Sequence, residues 1–262
     1  MLKRVIAILA VALILFFSAS PGYAMEKLNV MISGGFSLAY RQVLPEFERS
    51  TAVAVTTLSG ASQGTGPKTI KSQLEQGTEV DVVILSKEGL EELTASGRIA
   101  DGSAVELASV PLGLAVRQGA PKPDIGNVDA FKRAMLGARL VMLPGSTSGI
   151  FIKNDVFPGL GIADKVSTKT VARGTDSTAA LAAGEADLAI GPVSELVNQP
   201  GIELAGSLPG DVQLIQTFTA AMVKTAHNPQ GAKKLIGFLA SDQTTTAIRN
   251  SGMQPLGNHR RP

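Results

Sequence analysis

The stretch "LNVMISGGFSLAYRQVLPEFE" (residues 28–48) contains the parts of a β-strand–loop–α-helix unit. Its apolar run 28–32 is typical of a strand, and Ala39, Val43 and Phe47 then recur at the spacing of one helix face. A turn of serine and glycine, residues 33–35, separates the two. A strand that leads directly into a helix predicts the first half of a parallel βαβ unit.

The same order of strand, loop and helix recurs along the rest of the chain. "VDVVILS" (80–86) is a nearly continuous apolar run, as expected of a strand covered on both faces, and "KEGLEELTASG" after it indicates a helix that ends at Gly97. This repetition favours parallel βαβ units with right-handed crossovers. The further strand candidates are residues 52–58, 138–144, 167–173 and 187–193.

Two stretches are placed to pass between two such sets of units. They are "ELASVPLGLAVRQG" (106–119) and "QLIQTFTAAMVK" (213–224). We therefore expect an α/β protein of two lobes with a ligand cleft between them. The first lobe would comprise residues 25–108 plus 214–262, and the second lobe residues 109–213.

The N-terminus has the pattern of a secretory signal peptide over residues 1–24. Lys3 and Arg4 precede an apolar run, and the small residues Gly22 and Ala24 stand before a suitable cleavage site. The apolar run 5–17 is shorter than the roughly 20 residues of a spanning helix. The chain has no cysteine, which excludes disulfides, thiolate metal sites and a lipid-modified cysteine. A free periplasmic protein is expected.

Charge and composition argue against several classes of function. The 24 Lys+Arg and 22 Asp+Glu give a net charge of +2, and the predicted signal peptide contains two of the basic residues and no acid. A neutral mature chain is not typical of a partner of nucleic acid or of a membrane surface. The two histidines, His227 and His259, do not form the pattern of a metal site or a Ser-His-Asp triad. A monomer without metal or organic cofactor is expected.

Four loops share one design, in which a strand ends, a turn of Gly, Ser and Thr follows, and a helix begins. A single loop of this kind is often ordinary helix capping, but the N–H groups of four converging helix starts would favour an anion. Such loops lie at the carboxyl ends of the strands, where α/β proteins bind ligands. The loops are "SGGFS" (33–37), "SGASQGTGPKT" (59–69), "PGSTSG" (144–149) and "RGTDST" (173–178). The candidate substrate-binding residues are Gly35, Phe36, Ser62, Thr65, Ser146, Thr147, Ser148 and Ser177.

The second loop does not match a nucleotide-binding loop. A phosphate loop places a lysine directly after its second glycine, whereas Pro67 stands here between Gly66 and Lys68. Arg173 follows a strand at the start of an anion-type loop and is the best-placed cation. Lys68 comes next. Each is about as often a surface charge as a site residue.

The opening stretch, "LEQGTEVDVVILS", "GIFIKNDVFPGLGIADKV" and "ALAAGEADLAIGPVSEL" together resemble the periplasmic molybdate-binding proteins of ABC importers. The resemblance implies the type II periplasmic-binding-protein fold. That family holds its oxyanion with serine hydroxyls, backbone N–H groups and a tyrosine. By position, Ser62 matches a family serine, whereas Gly35 replaces the other serine and Pro192 replaces the tyrosine. The remaining backbone donors would lie near Ser148 and Ser177.

Two functions remain open after this resemblance. Two side-chain ligands of the molybdate-binding family are lost here, and the second loop is longer than in that family. Together with Lys68 and Arg173, these differences favour a larger carboxylate-bearing anion. The chain also resembles the periplasmic aconitate isomerases, which implies allylic proton transfer between trans- and cis-aconitate. For that reaction our candidates are Arg173 as a donor and Lys68 as the base. The alternative is a receptor that delivers molybdate or another oxyanion or carboxylate to an ABC permease.

Overall fold

A computed structural model describes residues 26–256, so the predicted signal peptide lies outside the described residues. The described chain alternates strands and helices. The strands are β1 (Glu26–Ile32), β2 (Val53–Ser59), β3 (Val82–Ser86), β4 (Val105–Arg117), β5 (Val141–Pro144), β6 (Thr168–Val171), β7 (Leu188–Pro192), β8 (Ile202–Ser207), β9 (Ile215–Met222) and β10 (Gln254–Pro255). The helices are α1 (Gly34–Thr51), α2 (Ile70–Glu75), α3 (Lys87–Ala95), α4 (Val128–Gly137), α5 (Thr147–Phe151), α6 (Phe157–Gly159), α7 (Gly174–Ala182), α8 (Val193–Leu196), α9 (Pro229–Leu239) and α10 (Thr245–Asn250).

The sheet is parallel at its two ends and antiparallel in its middle. The strand order is β2-β1-β3-β9-β4-β7-β5-β6, with β8 and β10 also paired to β4. β1 pairs in parallel with β2 and β3, and β5 pairs in parallel with β6 and β7. The predicted βαβ units are thus confirmed at both ends. A long loop, residues 60–69, joins β2 to α2, and short loops join the other parallel strands to helices.

The long strand β4 joins the two parallel regions. Its residues 105–111 pair with β9, whereas residues 112–116 pair with β7. Separate apolar clusters lie on either side of this change of partner. One contains Phe36, Phe47 and Phe218, and another contains Phe131 and Phe157. Two cores are what a two-lobed α/β protein requires, since each lobe buries its own apolar faces. The predicted lobe limits at 108/109 and 213/214 stay a prediction.

The helix starts differ in how they are capped. The side chains of Thr69, Ser86, Asn127 and Asn228 each accept a hydrogen bond from a backbone N–H of the helix that follows. Such caps satisfy N–H groups that the helix itself leaves without an acceptor. Ser33, Ser146 and Arg173, which precede α1, α5 and α7, make no such bond. Within residues 26–256, no helix has the length and apolar character needed to cross a lipid bilayer.

Candidate active site

The uncapped helix starts meet at a small cavity between the two halves of the sheet. Its volume is about 20 Å³, which is room for about one water molecule. A wider cavity of about 290 Å³ adjoins it and shares Ser33, Gly34, Gly60 and Arg173. The small cavity is lined by Ser33, Gly34, Gly35, Gly60, Ala61, Ser62, Ser146, Arg173, Gly174, Pro192, Glu195, Gln216 and Phe218.

Four of the residues predicted from the sequence line this cavity. They are Gly35, Ser62, Ser146 and Arg173, and each comes from a different one of the four loops. The Ser62 hydroxyl accepts a hydrogen bond from the Ser86 N–H at 3.0 Å, so its own proton remains available for donation. The four loops therefore converge on the cavity, but only three of them bring a helix start to it, since α2 begins at Ile70 and is capped by Thr69 away from the cavity.

Four other predicted residues lie buried outside the small cavity. Phe36 is 1% exposed and packs in the apolar core beneath α1. Thr147 shares a hydrogen bond of 2.8 Å with Ser86, and Ser148 and Ser177 are buried within α5 and α7. The Ser177 N–H already donates to the Arg173 carbonyl, as helix geometry requires. These residues support the helix starts and do not line the cavity.

Lys68 and Thr65 are exposed and line neither cavity. The reason is the path of the loop. The Ala61 N–H donates to the Lys68 carbonyl at 2.9 Å, and Gly64 takes a positive φ of 107° that favours glycine. The loop thus folds back on itself and leaves residues 64–68 on the surface. This placement gives no support to Lys68 as the base.

Glu195 was not among the predicted site residues. It lies on α8, directly after β7, and its carboxylate contacts Gly34 and Gly174, the first residues of α1 and α7. A Cβ atom at either glycine would overlap with the carboxylate, so glycine allows both helix starts to close around it. The sequence signal was an acid directly after a buried strand, in "GPVSEL".

The environment of Glu195 favours its protonated form. Burial raises the pKa of Glu195 from 4.5 to about 7, because removal from water disfavours the charged carboxylate. Among the contacts within residues 26–256, we find no hydrogen bond or ion pair that satisfies its carboxylate. A carboxyl group of this kind can both release and accept a proton near neutral pH.

Arg173 brings a positive charge to both cavities. One of its terminal nitrogens donates to the Ser59 hydroxyl at 3.2 Å, and the other lies 3.3 Å from Asp176. Its Nε is buried and has no hydrogen-bond partner. The guanidinium therefore keeps donor capacity for an anion, while Asp176 holds its orientation.

Other buried polar atoms of the lining also have no partner. They are the Ser33 Oγ and the Gln216 Oε1. Buried polar groups in folded proteins are nearly always hydrogen-bonded, so a cluster without partners calls for an explanation. A bound polar ligand supplies one. The site thus combines polar atoms without partners, one cation and one carboxyl group of near-neutral pKa.

Contacts between the two lobes close over this site. Ser86 of the first lobe shares its hydrogen bond with Thr147 of the second, and Arg173 donates across to Ser59. In addition, a Cβ at Gly64 would overlap with the carbonyl oxygen of Gly145 on the opposite loop. The two walls of the cleft are therefore in direct contact.

Comparison with known proteins agrees with this architecture. The model of the bacterial extracellular solute-binding protein family matches residues 28–254. An aconitate isomerase from a Pseudomonas species is 35% identical over 246 residues, which cover 92% of this chain and 94% of that protein.

Solved structures share the fold at low sequence identity. The periplasmic molybdate-binding protein of Azotobacter vinelandii has a TM-score of 0.67 at 19% identity, over 86% of this chain and 98% of that one. PEB3 with bound L-phospholactate has a TM-score of 0.66 at 14% identity, over 87% and 99%. The two-lobed fold with a ligand cleft between the lobes is thereby confirmed. The chain belongs to the bacterial extracellular solute-binding protein family.

Proposed function

We propose that the protein is an isomerase that interconverts trans-aconitate and cis-aconitate in the cleft between its lobes. The observation that carries this proposal is the 35% identity to an aconitate isomerase over 92% of the chain. Both proteins are matched over almost their whole length, so the likeness includes both walls of the cleft.

The site has groups that suit an unsaturated tricarboxylate. Arg173 and the uncapped starts of α1, α5 and α7 provide N–H donors for carboxylates. Gly35, Ser62 and Ser146 line the same cavity and are proposed as substrate-binding residues. The same donors would hold the negative charge that develops on a carboxylate when the neighbouring carbon loses a proton.

The reaction balances within the substrate. A C–H bond breaks at the methylene group next to a carboxylate, the double bond shifts by one position, and a C–H bond forms at the other end of the allylic system. The sequence of steps needs a proton acceptor and donor and produces no other compound.

The cavity sizes indicate that substrate enters an opened cleft. The small cavity of about 20 Å³ has room for about one water molecule, and a tricarboxylate also needs the adjoining 290 Å³ space. Arg173 lines both cavities and would therefore contact the substrate in either. We expect the contacts of Arg173 with Ser59 and of Ser86 with Thr147 to break on opening.

The proposed location is the periplasm. The family is one of bacterial extracellular solute-binding proteins. The N-terminal pattern supports export with a cleavable signal peptide over residues 1–24, and the absence of cysteine supports a protein without a lipid anchor.

The second candidate function is that of a receptor that delivers an oxyanion or carboxylate to an ABC permease. It is favoured by the fold, which the molybdate-binding protein of Azotobacter vinelandii shares. Against molybdate, Gly35 and Pro192 replace the serine and tyrosine of the resembled family.

One experiment separates the two functions. Purified residues 25–262, treated with a chelator, are incubated with trans-aconitate, and cis-aconitate is measured by chromatography. We expect turnover, and we expect molybdate to leave the melting temperature unchanged. Absence of turnover, together with a large thermal shift on addition of molybdate or a carboxylate, would support the receptor.

A further inference from the structure

We propose that Glu195 is the catalytic acid–base residue of this cleft, which removes the methylene proton and returns it to the other end of the allylic system. This inference rests on the proposed aconitate isomerisation and assigns the residue that transfers the proton.

The first argument is the composition of the cavity lining. Among the described residues that line the small cavity, Glu195 and Arg173 are the ones with ionisable side chains. Arg173 stays protonated in proteins, and the hydroxyl and amide groups of the lining are poor bases at neutral pH. Glu195 is therefore the group in the lining that can accept a proton from carbon. No second such group lines the small cavity, and burial raises the pKa of Tyr40 in the wider cavity to about 12, so the same carboxyl group also returns the proton.

The second argument is the position of the carboxylate between the two lobes. It contacts Gly34, at the start of α1, and Gly174, at the start of α7. These helix starts would hold the substrate carboxylates. A carbon next to a bound carboxylate is thus brought towards Glu195 by the same groups that bind the substrate.

The third argument concerns the charged groups that surround Glu195. Burial raises the pKa of Glu195 to about 7, close to the value that suits transfer in both directions at neutral pH. Directly before α7, Arg173 lines the small cavity and is paired with Asp176 of α7, and on α1, Arg41 lines the wider cavity. The charged groups of β4 and β8 that have ion-pair partners are Glu106, which pairs with Lys87, and Glu203, which pairs with Lys122. Within residues 26–256 none of these forms an ion pair with Glu195.

The proton transfer then has two balanced steps. In the first step the C–H electron pair of the methylene group moves into the allylic system as the proton passes to the Glu195 carboxylate. The negative charge spreads to the adjacent carboxylate, which Arg173 and the helix starts stabilise. In the second step the protonated Glu195 gives its proton to the former vinylic carbon. The double bond now lies at the former methylene position, and Glu195 is again ionised.

The test uses Glu195→Gln, which keeps the size of the side chain and removes its basicity. We expect its kcat for trans-aconitate to fall by about 10³-fold, within the range measured for loss of a general acid–base group. Exchange of the methylene hydrogens in D₂O, followed by NMR, should be lost to the same extent. Binding of trans-aconitate, measured by thermal shift, should remain. Glu185→Gln is the matched control, since Glu185 is an exposed acid of the second lobe paired with Lys169, and it should keep full activity.

The pH profile gives a second readout that a structural role would not move. The wild-type kcat/KM should rise with pH up to about 7, where free Glu195 becomes ionised. Glu195→Asp should retain part of the activity and shift this limb.

The outcomes decide between the proposals. Two results with an active wild type would overturn the assignment of Glu195. One is a Glu195→Gln variant that keeps more than about a tenth of the wild-type kcat. The other is a variant that loses turnover but still exchanges the methylene hydrogens. If the wild type itself neither isomerises aconitate nor exchanges its hydrogens, the proposed function has failed.

Discussion

The two walls of the cleft differ in chemistry although both are built from strand–helix loops. The lining residues of the first lobe are all neutral, and they include Ser33, Gly35, Ser62 and Gln216. Both ionisable residues of the lining, Arg173 and Glu195, belong to the second lobe. One wall thus offers hydrogen bonds and close backbone approach, and the other offers charge and a titratable proton. Neither lobe alone therefore contains both the neutral hydrogen-bonding groups and the charged groups of the site.

After Glu195→Gln, the largest effect on the rate is expected from Arg173→Gln, which tests the contrast between the two walls. It removes the one cation among the described residues that line the small cavity. Hydrogen bonds from a charged donor contribute about 1.5–3 kcal/mol, so kcat/KM for trans-aconitate should fall by about 100-fold. Arg133→Gln, on the exposed face of α4, is the control and should leave the rate unchanged. Equal rates for the two variants would contradict a charged second wall.

The second effect concerns stability and pH. Because the pKa of Glu195 is raised from 4.5 to about 7 in the folded protein, the folded state holds this proton more tightly than the unfolded state. Its contribution to stability is full below pH 4.5 and is lost as pH rises through about 7. Urea unfolding at pH 4.5 and pH 8 should therefore show that, relative to the wild type, the free energy of unfolding of Glu195→Gln gains about 2–3 kcal/mol when the pH is raised. The same gain in Glu185→Gln would show that the effect is not specific to the cleft.

A third and smaller effect is expected from Gly174→Ala. The new methyl group would overlap with the Glu195 carboxylate, which can move aside because it ends a flexible side chain. We expect the fold to persist and kcat to fall by about tenfold, which is about 1.4 kcal/mol of misplacement. The control is Gly237→Ala. Gly237 lies on the exposed face of α9, and a Cβ atom there would have no other atom within 4 Å. Activity unchanged in Gly174→Ala would argue against a tight fit around the carboxylate.

The smallest effect is expected from Lys68→Ala. Lys68 is exposed on the first-lobe loop and lines neither cavity. Surface substitutions of this kind change free energies by about 0.5 kcal/mol or less, so the rate should stay within about twofold. A loss of activity as large as that of Glu195→Gln would restore Lys68 as the base and place a charge on the neutral wall.

Much of the fold could be predicted from the sequence because its signals are local. Apolar runs and helical spacing located β1, α1 and β3 to within a few residues, and the glycine that ends α3 has the expected positive φ of 70°. The helix α4 (Val128–Gly137) and the strand β8 (Ile202–Ser207) were not predicted. In β8, the exposed and half-buried residues lack the apolar run that identified the other strands.

The site was predictable only as far as its loops are local features. Ser62 and Arg173 are identified because both lie in Gly/Ser/Thr-rich loops that follow a strand, and Arg173 directly precedes a helix. Glu195 also follows a strand, β7, but its role could not be inferred from that position, since its contacts with Gly34 and Gly174 join parts of the chain that are distant in sequence. The sequence shows that the second loop contains a lysine, but it does not show on which side of the loop Lys68 lies. For that reason it does not predict that Lys68 is exposed and outside both cavities.

The contact of Glu195 with two helix starts couples its titration to the motion of the lobes. Gly174 belongs to the same lobe as Glu195, whereas Gly34 comes from the other lobe, and we expect it to move away when the cleft opens. An open cleft returns water to the carboxyl group, and its pKa then moves back towards 4.5. Near neutral pH, closure therefore takes up a proton and opening releases one. We therefore expect the opening and closing of the cleft to be linked to a proton, and calorimetry in buffers of different ionisation enthalpy would record closure as proton uptake.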